Sequence, residues 1–180
     1  FSETGFVPAA TENQLDLSAE FLRIGEGDQA IAVTLKGKID RTDQNASNNR
    51  FLVIDYKRSA GNIQDIIRGV RTGSQFQIPL YLLMVAADKP AIKIGGAFYY
   101  SFNDGKRTRG FLVDSDFGRT PVLNESGLNE LMEETRLRVG ETLEQIYRGN
   151  FNLAPRNDSR CRAGKCEFYD MCRVEADSSA

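Results

Sequence analysis

Residues 51–57 read FLVIDYK: four apolar residues in succession, then an acid, a tyrosine and a lysine. Such a run is apolar enough to lie in the centre of a β-sheet with both faces covered. Side chains alternate along a strand, so Val53, Asp55 and Lys57 share one side while Ile54 and Tyr56 share the other. An unpaired charge at Asp55 would cost several kcal/mol, on the order of the penalty for a buried ion. A strand that carries an acid and a lysine onto the same side therefore needs a reason to do so.

The flanking sequence supplies a sheet around it. Residues 15–24 (LDLSAEFLRI) and 29–41 (QAIAVTLKGKIDR) are rich in β-branched and alternating apolar positions, with a Gly-Glu-Gly-Asp turn between them, and read as an antiparallel hairpin. A polar loop is expected over 42–50, so that 51–57 becomes the third strand of a meander. NIQDIIRGV and SQFQIPLYLLMVAAD then carry apolar residues at helical spacing, with Pro79 either in a first turn or at a kink. KIGGAFYYSF and RGFLVDS return to strand character around the turn NDGK, and residues 125–150 form one long amphipathic helix. From Phe151 the periodicity is lost.

The 180 residues, 41% hydrophobic and 27% charged, fit one globular domain, and no apolar run approaches the ~20 residues that cross a bilayer. A formal charge of −2 neither advertises nor excludes a polyanionic partner, since a basic groove can be balanced by acid elsewhere. The chain contains no histidine, which removes Ser-His-Asp and Cys-His nucleophile systems and His-ligated metals within the chain. Beginning at Phe1 without a signal-peptide pattern, it reads as a domain of a longer protein.

Asp40 ends the preceding strand as GKID, and an adjacent register brings its carboxylate beside Asp55. Two such carboxylates repel unless a cation sits between them. One or two carboxylates are the usual protein share of a Mg²⁺ site, the remaining ligands being water and substrate phosphate. A metal there would lower the pKa of a bound water and polarise a phosphoryl oxygen, with Lys57 orienting the nucleophile or offsetting developing charge. The competing reading is a strand-end ion pair. Asp104-Gly105-Lys106 repeats the D-x-K spacing inside an evident turn, so the triplet alone does not decide.

The order Gly37-Lys38-Ile39-Asp40, then Asp55-Tyr56-Lys57 at the end of a hydrophobic strand, then Gln77 to Tyr81 (QIPLY), resembles the PD-(D/E)XK nuclease superfamily. More narrowly, it looks like the RecB/AddB-type nuclease domain of bacterial helicase-nucleases. The resemblance implies an α/β, restriction-endonuclease-like core: a central mixed sheet of about five strands flanked by helices, a long C-terminal helix and an irregular cysteine tail over 151–180. It implies that Asp40, Asp55 and the carbonyl of Tyr56 bind Mg²⁺ or Mn²⁺, that Lys57 is the catalytic lysine, and that Gln77 and Tyr81, four residues apart on one helical face, assist. The family's leading acid or histidine, on a helix before the first strand, has no clear match; Glu3 and Glu12 are poor substitutes.

Cys161, Cys166 and Cys172 are spaced C-x4-C-x5-C, close enough to converge on one inorganic centre. In AddB-type nucleases three such cysteines and one distant upstream cysteine hold a 4Fe-4S cluster, and this tail resembles that arrangement, although x2 is expected where x4 stands. Only three cysteines are present, so the cluster is incomplete within this chain; a Zn²⁺ site, a disulfide or free thiols are the other readings. Lys36, Lys38, Arg41, Arg58, Arg68 and Arg71 crowd the site elements and are candidates to line a DNA groove. The function implied is a cytoplasmic Mg²⁺-dependent deoxyribonuclease, an exonuclease working with a helicase on single-stranded ends in double-strand-break repair. The alternatives are an inactive DNA-binding or structural module of the same fold and a stand-alone CRISPR-associated RecB-like nuclease.

Overall fold

The structure is a computed structural model that describes residues 5–59, 65–114, 120–151 and 167. In chain order the elements are β1 (Val7–Ile24), β2 (Ile31–Asn45), β3 (Arg50–Lys57), α1 (Ile66–Arg71), α2 (Gln77–Asp88), β4 (Lys93–Ser101), β5 (Lys106–Val113), β6 (Val122–Leu123) and α3 (Glu125–Tyr147). The six strands lie side by side in that order. The pairs β1–β2, β2–β3 and β4–β5 are antiparallel, whereas β3–β4 and β5–β6 are parallel. A parallel step needs a crossover, and α1 and α2 supply it between β3 and β4. This is the mixed sheet flanked by helices of an α/β, restriction-endonuclease-like core.

Three sequence expectations change. The sheet, expected to hold about five strands, has six, the sixth being the dipeptide Val122–Leu123 that pairs with Leu112 and Val113. The expected loop over 42–50 is shorter: Arg41 to Asn45 pair with Ile54 to Arg50. Thr42, Asp43 and Asn45 are buried there although polar; Asp43 is gripped by Arg41, and Asn45 caps the turn by accepting the N–H of Ser47 at 2.9 Å. Finally, β1 begins at Val7, not Leu15. Residues 7–14 lack alternating apolar positions since this edge segment is mostly exposed and is held by backbone pairing with β2.

The helices begin and end where local chemistry allows. Asp65 accepts the N–H of Arg68 at 3.0 Å and caps α1. Pro79 falls in the first turn of α2, where its missing N–H leaves nothing unsatisfied. Asn124 accepts the N–H of Gly127 at 2.8 Å to start α3. Residues through Glu144 form one compact unit; a second starts at Gln145, and among its described residues Gly149, at φ +71, closes the helix with its N–H on the Ile146 carbonyl.

The two faces of the sheet are covered differently. Phe51 and Val53 of β3 pack with Val70 of α1, Ile78 and Leu82 of α2 and Leu131 of α3 in the main core. Leu52 joins Phe98 and Leu112 on the opposite face, under Phe6. Gly37 sets how closely α2 approaches: a Cβ there would meet Met84 Sδ and Tyr81 Cε1 at 3.3 Å. Its lack of a side chain lets the Gln77–Tyr81 face of α2 come down beside the end of β3.

Candidate active site

Asp55 is the last buried residue of β3, only 2% exposed, on the helix-covered side. Lys57, two residues on, brings its Nζ to 2.7 Å from Asp55 Oδ2. The same ammonium donates to Gln77 Oε1 at 2.9 Å, and Gln77 Nε2 donates to the Tyr81 hydroxyl at 3.2 Å. Lysine can only donate, so it fixes which end of the Gln77 amide faces it and leaves the NH₂ for Tyr81. Strand alternation and a one-turn helical spacing thus deliver a continuous polar chain: Asp55, Lys57, Gln77, Tyr81.

Burial pushes the Asp55 carboxyl above the usual aspartate range; the neighbouring Lys57 opposes this, and the charge of Asp40 adds to the rise. Despite the short Lys57 contact, Asp55 Oδ2 has no well-aligned hydrogen-bond donor among the described residues. A buried carboxylate oxygen in that condition suits a cation.

Asp40 reaches the same place from β2. The pairing of β2 with β3 ends at Arg41 and Ile54, and beyond it Asp40 Oδ2 accepts the backbone N–H of Tyr56 at 2.8 Å. Opposite, the β1–β2 register steps from Thr11–Arg41 to Asn13–Ile39 past Glu12, which has a left-handed φ of 54°. Glu12 turns outward and pairs with Lys38. It is therefore occupied on the exposed edge. Among the described residues no three His, Cys, Asp or Glu side chains are grouped so that they could hold a metal ion, and the two carboxylates at this place are Asp40 and Asp55.

Two residues of the site escaped the sequence reading. Tyr99 of β4 lies directly opposite Asp55 in the parallel register. Its hydroxyl accepts from Gln75 Nε2 at 2.5 Å, its ring lies 5.6 Å from Lys57 Nζ, and burial, with the Asp55 charge second, pushes its pKa up. Tyr99 therefore stays a neutral wall of the site. The alternation of KIGGAFYYS identifies it as a strand residue, but only the β3–β4 register reveals its neighbour.

The candidate DNA-contacting residues are spread out. Arg41 pairs with Ile54, which puts it on the Tyr56 side of the sheet, and its guanidinium is held by both carboxylate oxygens of Asp43 at 2.5 and 2.8 Å. Lys36 pairs with Asp16 at 2.8 Å and Arg71 lies 4.0 Å from Glu134. Arg58 follows Lys57 and is exposed, as is Arg68 on α1. In the second D-x-K triplet, Asp104 accepts from the Ser101 hydroxyl within the β4–β5 turn. Cys161, Cys166 and Cys172, and Glu3, lie outside the described residues.

The chain matches the family model of the PD-(D/E)XK nuclease superfamily over residues 1–173. No curated protein matches it. Among solved structures, the crystal structure of SSO0001 aligns at 16% identity with a TM-score of 0.32, covering 92% of this chain and 59% of that one. The chain thus spans about three fifths of that structure's length.

Proposed function

The chain belongs to the PD-(D/E)XK nuclease superfamily, and from that premise we propose that it is a Mg²⁺- or Mn²⁺-dependent deoxyribonuclease whose reaction is carried by Asp40, Asp55 and Lys57. The observation that supports this most is the state of Asp55: buried, ionisable, close to a second carboxylate, and with one oxygen lacking an aligned donor. The ion pair that Asp55 makes with Lys57 requires neither the burial nor the second carboxylate.

In this reading Asp40, Asp55 and the Tyr56 carbonyl hold the divalent ion, which when bound supplies Lewis-acid activation of water and of the scissile phosphate. Lys57 stands with its ammonium against Asp55 and Gln77, able to orient the attacking water and to offset the negative charge that develops on the phosphoryl oxygens. Gln77 and Tyr81 position Lys57: its Nζ has three protons, of which one goes to Gln77 and one faces Asp55, leaving a donor for the substrate. Tyr99 and the helix-side core exclude water from beneath the carboxylate.

The finer reading follows the resemblance to RecB/AddB-type domains: an exonuclease that takes single-stranded ends from a helicase partner in the cytoplasm, in double-strand-break repair and recombination. Cys161, Cys166 and Cys172 are three of the four thiolates that a 4Fe-4S cluster takes, so the fourth would come from elsewhere in the full-length protein. Among the described residues no helix is long and apolar enough to cross a membrane.

The test is cleavage of end-labelled single-stranded and duplex DNA with Mg²⁺ or Mn²⁺, beside an EDTA control and the Asp55→Ala and Lys57→Ala variants. Metal-dependent cutting lost in both variants supports the assignment. Cutting at an undiminished rate in either variant, or none by the unmutated protein with either ion, refutes it.

A further inference from the structure

On the face of the sheet opposite Asp55, the ends of β3 and β4 carry a cluster of aromatic rings that the proposed chemistry does not use. Tyr56 and Tyr100 are direct neighbours in the β3–β4 register, and Phe102 follows at the start of the β4–β5 turn. The Tyr56 and Phe102 rings stack with centroids 5.1 Å apart and planes 23° from parallel. Tyr100 stands edge-on to both, at 5.7 and 6.0 Å. Phe102 is 63% exposed, which leaves the outer face of the stack open to solvent.

Arginines share the face of these rings. Arg107 lies opposite Tyr100 in the β4–β5 register with its guanidinium 5.1 Å from the Phe98 ring centroid, Arg41 donates to the Tyr56 hydroxyl at 3.4 Å, and Arg58 follows two residues after Tyr56. The cluster is therefore aromatic and bordered by cations, with the Phe102 ring exposed. An apolar protein partner would use the rings but gain nothing from the charges. Unpaired nucleotides use both, since each base has a π face for the rings and each linkage a phosphate for the cations.

Tyr56 lies between Asp55 and Lys57, so rings and carboxylate sit at the same end of the same strand on opposite sides of the sheet. We propose that Tyr56, Tyr100 and Phe102 form a stacking platform for the unpaired bases of single-stranded DNA, whose backbone passes around the end of the sheet to reach Asp55. The proposal rests on the nuclease reading above and narrows its substrate to strands with accessible bases.

The test is fluorescence-anisotropy titration, in EDTA so that nothing is cut, of a short dye-labelled single-stranded oligodeoxynucleotide and of an abasic strand of the same length. Phe102→Ala should weaken binding of the base-bearing strand by about five- to a hundredfold, the range seen when a base-stacking aromatic is truncated. Phe102→Trp should restore it, and the abasic strand should bind wild type and Phe102→Ala alike. An unchanged thermal midpoint for Phe102→Ala, expected of so exposed a ring, excludes misfolding as the cause.

Equal binding of the normal strand by both proteins overturns the platform, as does an equal loss for the abasic strand or no binding of single strands by the wild type. The last two outcomes would leave the patch as a protein-docking or merely structural surface. If wild type cuts DNA with Mn²⁺ while Phe102→Ala binds single strands normally, the platform fails and the nuclease reading stands. If Phe102→Ala loses base-dependent binding but the wild type cuts nothing, the nuclease reading fails and the platform stands.

Discussion

Asp40 Oδ2 accepts the backbone N–H of Tyr56 at 2.8 Å, taking the place of a carbonyl where the β2–β3 pairing stops. This one bond anchors the second carboxylate beside the peptide whose two flanking residues are Asp55 and Lys57. Asn can make the same bond but carries no charge. We therefore expect Mn²⁺ to raise the thermal midpoint of the wild type by several degrees, since a ligand at a hundred times its Kd stabilises by about 2.7 kcal/mol. Asp40→Asn and Asp55→Asn should each fold and show little or none of this rise in a differential scanning measurement.

Lys57 should separate chemistry from metal binding. Lys57→Ala removes a positive charge next to the carboxylates, so the Mn²⁺-induced rise in midpoint should persist or grow. Cleavage should fall by about 10²–10³-fold, the scale for losing one group that stabilises transition-state charge. Single-turnover rates with saturating Mn²⁺ measure it.

Gln77 acts on the substrate only through Lys57. Gln77→Ala frees the ammonium from one of its two fixed partners, and we expect the rate to fall about tenfold, consistent with a charged hydrogen bond worth ~1.5 kcal/mol. Tyr81→Phe, one step further along the chain, should have a smaller effect. Equal losses in the two variants would mean that the α2 contacts to Lys57 are not graded in this way.

The metal-free protein should show the stability cost of Asp55. Its carboxyl pKa is raised in the folded state by burial, so the stability associated with its neutral form is full below the unfolded-state value and is lost as pH rises through the folded-state value. In EDTA the wild type should then be less stable than Asp55→Asn at neutral pH, and the gap should close on acidification towards the ordinary aspartate range. Thermal midpoints of both proteins across that pH window check it.

The sheet has its own sensitive point at Gly110 in β5, where a Cβ would come within 2.2 Å of the Phe98 ring and 2.3 Å of the Ala97 carbonyl. Neither neighbour is a flexible side-chain end. Gly110→Ala should destabilise by about 3 kcal/mol or more, as overpacking of a tight interior does, with the midpoint falling by several degrees.

Much of the site is legible in the letters because strand alternation and helical spacing are local rules. Val53, Asp55 and Lys57 share a side, and Gln77 and Tyr81 share a helical face, for reasons contained in spacings of two and four. Tyr99 and Gln75 were invisible because their relation to Asp55 and Lys57 depends on a parallel register across a two-helix crossover, which no local rule sets. The same limit hid β6, whose two residues are strand only because β5 lies beside them, and the paired part of 42–50, whose polar letters read as loop until Arg41 is placed on Asp43. Residues 7–14 misled in the opposite way, since an exposed edge needs no apolar pattern at all.

The alternation of β3 has an evolutionary corollary. Inserting or deleting a single residue between Phe51 and Asp55 would rotate everything after it by half a turn, sending the acid and the ammonium out among the tyrosines and burying a ring against the helices. The length of this strand is thus as binding as its spelling: unless a bulge absorbs it, a change of one residue trades one face for the other.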